Sequence, residues 1–260
     1  MAKAITLITG ASSGIGRELS FVFAEHKQDL LLVARSGAEL SKLAEELALK
    51  HGITALYLAG DLREMKSVEA VKAYCVAHDL FVENLVNNAG FGDFGPFADS
   101  KIERQLGMIN LNISALVYLT HLFLPAMIEK GKGRILNVAS TAAFQPGPLM
   151  SVYYATKAFV LHFSEAIANE LKTKNISVTA LCPGPTASNF KAVANLDGSR
   201  LMKNRKLPTA RSVAEDGYRA LMAGKIVAIS GWKNAFMAFL VRFFPRRLVL
   251  KIVRKFQENF

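Results

Sequence analysis

A tyrosine and a lysine near the middle of the chain stand at a spacing that suits acid–base chemistry. Tyr153 and Lys157 are four residues apart, and on a helix that spacing places both side chains on one face. The lysine ammonium would then lie beside the phenol and favour its ionised form. A tyrosine with an ordinary pKa of about 10 would become a usable acid or base near neutral pH. Ordinary solvated helix faces carry such pairs too, so the meaning of this one depends on the surrounding sequence.

A serine hydroxyl precedes this pair at the end of an apolar run. Residues 134–139 are predicted to form a buried strand, and Ser140 follows them directly. Open α/β sheets bind their ligands at the carboxyl ends of strands. Ser140 is therefore predicted to lie at a ligand-binding edge of a sheet.

A glycine-rich turn near the N-terminus joins a predicted strand to a predicted helix. Residues 4–9 form a short apolar run, glycines stand at positions 10, 14 and 16, and an amphipathic helix extends to about Glu25. Glycines let the backbone turn tightly and approach a pyrophosphate, which the positive end of a helix attracts. This order of elements favours a dinucleotide-binding loop over an ordinary glycine-rich turn.

The end of the second predicted strand bears on the choice of cofactor. Residues 29–34 form this strand, and Arg35 follows it. In dinucleotide-binding folds an acidic residue near this point binds the ribose diol, whereas an arginine accommodates a 2′-phosphate. Since Ala34 and Arg35 stand where no acid is present, the sequence favours NADP over NAD. A solvated loop arginine is the alternative interpretation.

Strands and helices alternate through the chain. Helices are predicted over residues 38–50 and 64–78, with strands over 53–59 and 82–87. Repeated units of this length are typical of a doubly wound parallel α/β sheet with helices on both faces. The unbroken rhythm predicts a single domain, over residues 1–231.

Composition, charge and cysteine content exclude several classes of protein. The 260 residues are 51% hydrophobic, which supports one large folded domain and excludes a disordered chain. The net charge is +11, and residues 232–260 carry +6 of it through seven Lys or Arg against one Glu. The remaining sequence holds no basic stripe with aromatic residues and no Cys/His finger, so we expect no nucleic-acid partner.

The two cysteines and the chain's hydropathy indicate its setting. Cys75 and Cys182 lie far apart in apolar contexts, so neither a disulfide nor a metal site is expected. A reducing, cytoplasmic localisation follows as the expectation. We see no secretory leader at the N-terminus and no run of about eighteen apolar residues that would span a membrane.

Five motifs in order make the chain resemble the short-chain dehydrogenase/reductase family, and within it the bacterial NADP-dependent reductases. They are TGASSGIG at residues 9–16, NNAG at 87–90, Ser140, YYATK at 153–157 and PGPT at 183–186. The resemblance covers residues 3 to about 230. It implies a Rossmann-type sheet of about seven strands, hydride transfer between a nicotinamide cofactor and an alcohol or carbonyl, and a homo-oligomer, either a dimer or a tetramer.

The resemblance also implies roles for individual residues. The cofactor would meet Gly10, Ser12, Ser13, Gly14 and Ile15 at its phosphates, Asp61 and Leu62 at the adenine, Asn88, Ala89 and Gly90 at the ribose, and Pro183, Gly184 and Thr186 at the nicotinamide. The catalytic set would be Asn112, Ser140, Tyr153 and Lys157, of which the last two would also contact the cofactor. Asn112 is preferred over Asn110 because a hydrophobic residue and then a small polar residue follow it.

These roles imply a mechanism. Ser140 would hydrogen-bond the substrate oxygen while Tyr153 gives it a proton. Lys157 would lower the Tyr153 pKa and hold the nicotinamide ribose. Asn112 would position a water molecule that restores the Tyr153 proton through Lys157.

Apolar side chains point to the kind of substrate. The predicted loops around the site carry Phe91, Phe94, Phe97, Phe144, Pro146, Met150 and Phe190. An apolar substrate pocket is the functional interpretation, and ordinary loop packing is the alternative. A lid is implied at about residues 187–210, and its sequence does not disclose the substrate. We expect an NADP-dependent oxidoreductase for an apolar carbonyl or secondary alcohol, with a non-catalytic NADP-binding regulator as the alternative.

The basic C-terminal extension, residues 232–260, has two interpretations. Pro245 interrupts it, and the part that follows fits an amphipathic helix with apolar positions three and four apart. Such a helix could lie on an anionic membrane surface. It could equally fold back over the substrate cleft or a subunit interface. We expect an extension that packs on the domain, with at most peripheral membrane association.

Overall fold

The computed structural model of the chain describes residues 2–187, 194 and 207–258. Its strands are β1 (Lys3–Thr9), β2 (Leu30–Ala34), β3 (Ala55–Ala59), β4 (Leu80–Asn87), β5 (Gly133–Val138), β6 (Ile176–Cys182) and β7 (Val227–Ile229). Its described helices are α1 (Gly14–Glu25), α2 (Gly37–His51), α3 (Met65–Ala77), α4 (Ile102–Ile109), α5 (Leu116–Lys130), α6 (Ser151–Glu170), α7 (Ala210–Met222), α8 (Trp232–Leu240) and α9 (Arg246–Gln257). Most of the region predicted to be a lid lies outside the described residues.

The strands form one parallel sheet in the order β3-β2-β1-β4-β5-β6-β7. Every pairing between these seven strands is parallel. The strand order reverses between β1 and β4, so the loops that leave the carboxyl ends of these two strands part and open a crevice. The predicted doubly wound sheet with helices on both faces is therefore confirmed, as is its single-domain character.

The strand β2 shows why helices cover both faces of the sheet. All five of its residues are buried, and successive side chains point to opposite faces. Leu30 and Leu32 join the core beneath α1 and α2, whereas Leu31 and Val33 join the core beneath α3 and α5. Since burying each such side chain contributes roughly 1.5 to 3 kcal/mol, both faces hold the strand in place.

A long apolar stretch supports the second of these faces. Judged by length and composition alone, the helical run from Ile102 to Lys130 is long and apolar enough to cross a membrane. In its most apolar 18-residue segment, 39% is buried inside the protein. Its side chains Leu119, Phe123 and Met127 pack into the core under the sheet. This packing provides a structural reason for the apolar sequence of the run.

Candidate active site

A cavity of about 1200 Å³ opens at the carboxyl edge of the sheet, where the sequence placed its functional residues. Its lining includes Gly10, Ser12, Ser13, Gly14, Ile15, Arg35, Asp61, Leu62, Asn88, Ala89, Gly90, Ser140, Tyr153, Lys157, Pro183, Gly184 and Thr186. Asn112 lies buried behind this surface. The structure thus brings together, in and directly behind one cleft, the residues that the sequence assigned to catalysis and to cofactor binding.

The glycine loop packs so closely against the end of β4 that side chains are excluded. A Cβ atom on Gly16 would lie 2.2 Å from the Gly10 carbonyl oxygen and 2.4 Å from Asn88 Nδ2. Gly10 itself has a φ of +65°, which residues with a side chain adopt at a cost. Asn88 Nδ2 also donates to the Thr9 carbonyl at 2.9 Å. The loop is therefore held close both to the first turn of α1, at Gly16, and to Asn88 after β4.

The N-terminus of α1 is arranged to receive an anion. Within the described part of the chain, Ser13 makes no capping hydrogen bond with its side chain, and the first turn of α1 contains no acidic residue. The first backbone N–H groups of a helix lack intrahelical partners and carry the positive end of its dipole. Together with the glycine loop, they fit the pyrophosphate of a nicotinamide dinucleotide.

A threonine hydroxyl joins the two strands at the crevice. Thr9 Oγ1 accepts hydrogen bonds from the backbone N–H groups of Asn88 and Ala89, both at 3.0 Å. It donates to the Val86 carbonyl at 3.2 Å. Because these bonds tie the end of β1 to the loop after β4, the two segments predicted to contact the cofactor keep a fixed separation.

Two arginines stand at the outer end of the cavity, and the sequence predicted only one of them. Arg63 holds the Asp61 carboxylate through its Nε atom, at 2.9 and 3.0 Å from the two oxygens. This hydrogen-bonded guanidinium lowers the Asp61 pKa, and the charge of Arg35 adds to the effect. Among the described residues, Arg35 has no ion-pair partner within 4.0 Å. Arg35 is therefore the cation of the two that remains available to a phosphate.

Ser140 and Tyr153 meet at the centre of the cleft. Ser140 caps a short 3₁₀ turn, Thr141–Phe144, by accepting from the Ala142 N–H at 3.1 Å. Its hydroxyl donates to the Pro183 carbonyl at 3.4 Å. Removal from water raises the Tyr153 pKa, and the neighbouring Ser140 hydroxyl opposes that rise. The phenol is therefore a neutral proton donor at neutral pH.

The Lys157 ammonium lies beneath Tyr153. Its Nζ atom is 5.8 Å from the centre of the Tyr153 ring and donates to the Val138 carbonyl at 2.7 Å. Burial lowers the pKa of Lys157 to about 8. Burial of the phenol is the first cause of the shift in the Tyr153 pKa, and a lowering of that pKa by Lys157 stays a prediction. The ammonium is directed at a carbonyl oxygen.

Asn112 occupies a π-helical turn, Asn110–Ala115, between α4 and α5. Its side chain accepts from the Phe91 N–H at 3.1 Å and donates to the Phe91 carbonyl at 3.0 Å. It also donates to Thr156 Oγ1 at 3.0 Å. Both amide hydrogens are thus used, so a water molecule could be held only at the remaining lone pair of the oxygen. Asn110, the alternative from the sequence, is exposed.

The C-terminal helix α9, which the sequence did not predict in detail, packs behind Met150 and Tyr154 in the wall of the cleft. Val253 packs against a buried cluster that contains Met150 and Tyr154. Gln257, with no exposed surface, donates from Nε2 to the Tyr154 hydroxyl at 2.7 Å. Gly147 lets the Tyr154 ring lie against the backbone, since a Cβ there would be 2.2 Å from the ring.

Aromatic side chains predicted for the substrate pocket have different surroundings. Phe91 and Met150 line the cavity, and Phe94 packs beside the cluster that contains Tyr154. Phe97 points to solvent with 59% of its surface exposed, and Phe190 lies outside the described residues.

A second residue that the sequence missed is Asn234 of α8, whose amide nitrogen would be 2.5 Å from a Cβ on Gly184. The extension therefore reaches the PGPT loop as well.

Comparisons with known proteins agree with this geometry. A family model described as short chain dehydrogenase matches residues 4–197. The chain is 32% identical over 197 residues to very-long-chain 3-oxoacyl-CoA reductase of Anas platyrhynchos; the match covers 72% of this chain and spans 61% of that relative's length.

Two solved structures resemble the whole chain. A short-chain dehydrogenase of Sphingobium yanoikuyae in complex with NADPH is 30% identical, with a TM-score of 0.84 and 95% of each chain covered. The bulky-bulky ketone specific alcohol dehydrogenase of Comamonas testosteroni is 27% identical, with a TM-score of 0.78 and coverage of 94% of this chain and 92% of that chain. Both resemblances extend beyond residue 197, where the family match ends.

Proposed function

We propose that this chain, which belongs to the short-chain dehydrogenase family of oxidoreductases, transfers a hydride between NADP(H) and an apolar carbonyl compound or secondary alcohol. The observation that carries the proposal is that Ser140, Tyr153 and Lys157 line one wall of the cavity, with Lys157 Nζ 5.8 Å from the centre of the Tyr153 ring. A general acid and a hydrogen-bond donor side by side suit a substrate oxygen on which negative charge develops.

The chemistry divides between the cofactor and the protein. A bound reduced nicotinamide would supply the hydride, which no protein side chain provides. Ser140 donates a hydrogen bond to the carbonyl oxygen, and Tyr153 transfers its phenolic proton to that oxygen as the carbonyl carbon is reduced. Because the charge on the oxygen is greatest in the transition state, the two groups stabilise that state more than the bound substrate.

The proton lost by Tyr153 must be replaced from inside the protein. Lys157 lies beside the phenol and, with a pKa of about 8, exchanges protons readily near neutral pH. A Cβ on Gly90 would lie 2.9 Å from Asn112 Oδ1 and 3.5 Å from Lys157 Nζ, so these two side chains face one spot. We assign Lys157 to the proton relay and Asn112 to holding a water molecule at its outer end.

The proposed preference for NADP(H) rests on Arg35. Its side chain is exposed at the rim of the cavity, beside Asp61 and Arg63. A guanidinium binds phosphate oxygens through parallel hydrogen bonds. The solved relative from Sphingobium yanoikuyae contains NADPH, which supports the same preference here.

An apolar substrate is proposed from the apolar side chains in the cavity wall. Phe91 and Met150 line the cavity near Tyr153, and α9 adds Val253 to the neighbouring cluster. Apolar walls with a few placed polar groups are typical of small-molecule sites. The relative from Comamonas testosteroni is described as specific for bulky-bulky ketones, which supports testing ketones with two large substituents.

The experiment is a screen of ketones and aldehydes in which NADPH consumption is measured by absorbance. We expect turnover of at least one apolar ketone, and a loss of about 10²-fold or more in the Ser140→Ala variant. Thr141→Ala, at the neighbouring position on the same loop, is the matched control. A chain that binds NADPH tightly but turns over no compound in the screen would favour a non-catalytic regulator and contradict the proposal.

We also propose a reducing, cytoplasmic setting and a homo-oligomer. Cys75 and Cys182 are both buried free thiols, which suits a compartment that keeps thiols reduced. On α6, Phe159 stacks on Phe163 at 5.8 Å between ring centres, and Phe159 is exposed. An exposed aromatic ring supported by a half-buried one suits a contact with a second subunit. Native mass spectrometry would count the subunits.

A further inference from the structure

The outward side of the C-terminal extension has properties that the oxidoreductase site does not use. A row of aromatic side chains on α8 and the turn after it, with 54 to 75% of each exposed, consists of Trp232, Phe236, Phe239 and Phe243. These residues are four, three and four positions apart, so they share one side of the helix. Rows of exposed aromatic rings mark interaction sites on a protein surface.

The helix α9 continues this pattern with three rows of side chains, each repeating every four residues. The row that faces the protein contains Val249, Val253 and Gln257, the exposed apolar row contains Leu248, Ile252 and Phe256, and the basic row contains Arg247, Lys251 and Lys255. Successive residues of a helix are about 100° apart, so the basic row lies next to the exposed apolar row. We name the two exposed apolar rows and this basic row the tail surface.

The charge of the extension indicates what the tail surface meets. It carries seven Lys or Arg and one acidic residue, Glu258, and that glutamate already pairs with Arg254. Two tail surfaces of two copies facing each other would bring together like charges, which repel. A partner with a dense negative charge beside an apolar interior satisfies both the basic row and the aromatic row.

We propose that the tail surface binds the surface of an anionic lipid bilayer. Aromatic rings such as Trp232 favour the boundary between head groups and acyl chains, where α8 presents them. Lysine and arginine stems lie along apolar surface while their charged ends reach the head groups. The proposal does not depend on the oxidoreductase activity, although the opposite side of α9 touches Tyr154 at the substrate end of the cleft. Binding would therefore hold that end near the lipid.

The protein's single tryptophan makes the proposal directly testable. Trp232 is the only tryptophan in the sequence, and 75% of its surface is exposed. The full-length protein is mixed with vesicles of phosphatidylcholine alone, or with phosphatidylserine added, at low and at high salt. We expect co-sedimentation with the anionic vesicles at low salt, a blue shift of tryptophan emission, and quenching by brominated acyl chains. High salt should release the protein, since screening weakens surface charge.

Paired charge variants show whether the basic row is responsible. Lys251→Gln with Lys255→Gln should weaken binding to the anionic vesicles about 25-fold, since each basic residue contributes about five-fold. The control is Lys172→Gln with Lys174→Gln, two exposed lysines that precede β6, at the amino ends of the strands and away from the cleft. An equal loss in both pairs would overturn the assignment to the tail surface.

Two further results would overturn the proposal outright. One is the absence of co-sedimentation with vesicles of either composition. The other is a Trp232 emission that shifts to the blue with rising protein concentration alone and does not change with vesicles, because a second copy would then cover the tail surface. Trp232→Phe keeps an aromatic ring and removes the indole. If an aromatic ring is what the bilayer requires, this variant still co-sediments with the anionic vesicles.

Discussion

The two ends of the cleft are built from different kinds of structure. The cofactor end consists of short turns that leave the carboxyl ends of neighbouring parallel strands, and Thr9 ties two of these turns together. The end proposed for the substrate consists of loops and of Tyr154, which α9 supports from behind through the Gln257 bond across 103 residues of sequence. The first end is fixed by the sheet itself, whereas the second depends on contacts between distant segments.

This difference gives the two ends different tolerances. At Gly16 the atoms that exclude a side chain belong mainly to the Gly10 backbone, which cannot move without disturbing β1. At Gly147 the excluding atoms belong to the Tyr154 ring, a side chain that can change its rotamer. We infer that the cofactor end preserves one ligand geometry, while the substrate end can be adapted to different carbonyl compounds.

The largest expected effect lies between the two ends, at the proton donor. Tyr153→Phe removes the transferable proton and leaves the ring, so turnover of a reducible ketone should fall roughly 10²- to 10⁴-fold. NADPH affinity should change little, because the cofactor end is held by other groups. Steady-state kinetics and fluorescence titration measure the two quantities. Tyr154→Phe is the control, and a Tyr153→Phe variant with near-normal turnover would refute the assignment of the acid.

The second prediction isolates the cofactor end. Arg35→Ala removes a charge-assisted phosphate contact worth about 1.5 to 3 kcal/mol, so NADPH binding should weaken by about ten- to a hundred-fold. NADH binding should remain nearly unchanged, since NADH lacks the 2′-phosphate. Both cofactors are titrated by fluorescence against the parent protein and the variant. Equal losses for NADPH and NADH would remove the phosphate role from Arg35.

Much of the cofactor end could be predicted from the sequence, for a physical reason. A turn that must approach a phosphate needs glycine at particular positions. These glycines follow β1 directly in the sequence, so a local pattern reveals them. The family pattern also distinguished Asn112 from Asn110, and the structure buries the first and exposes the second. Arg63 was missed because nothing in a single sequence shows that its guanidinium turns back to Asp61.

The substrate end was much less predictable. The amphipathic pattern after Pro245 predicted a helix, and α9 begins at Arg246. The pattern could not show which side of α9 faces the domain, because Val249 and Val253 differ little in type from Leu248 and Ile252. Only the folded chain reveals that a glutamine, polar and unremarkable in sequence, is the residue at the end of the buried row.

The third prediction uses pH to separate the two reaction directions at the catalytic centre. Alcohol oxidation needs the phenolate of Tyr153, whose pKa is raised by burial, so its rate should increase about tenfold per pH unit below that pKa. Ketone reduction needs the neutral phenol and a protonated relay. Because the Lys157 pKa is lowered to about 8, the reduction rate should decline as the pH rises above that value. Opposite slopes in kcat profiles measured with one ketone–alcohol pair are expected, and parallel slopes would contradict these protonation states.

The smallest expected effect tests the substrate end. Gln257→Ala removes the hydrogen bond to Tyr154, a contact of about 0.5 to 1.5 kcal/mol, so KM for a bulky ketone should rise roughly two- to ten-fold. NADPH affinity should not change. The control is Ile252→Ala on the exposed side of the same helix, which shortens an aliphatic side chain without touching Tyr154.

A double variant decides whether the effect passes through that bond. Tyr154→Phe removes the same hydrogen bond from its other partner, so combining it with Gln257→Ala should add little to KM beyond the larger single effect. Gln257 and Tyr154 would then act as one unit that positions α9 behind the wall of the cleft. Two results would contradict this: the two effects on KM multiply, or the affinity for NADPH falls together with the affinity for the ketone. In either case α9 stabilises the whole fold and does not shape the substrate end. The proposed difference between the two ends of the cleft would then be wrong.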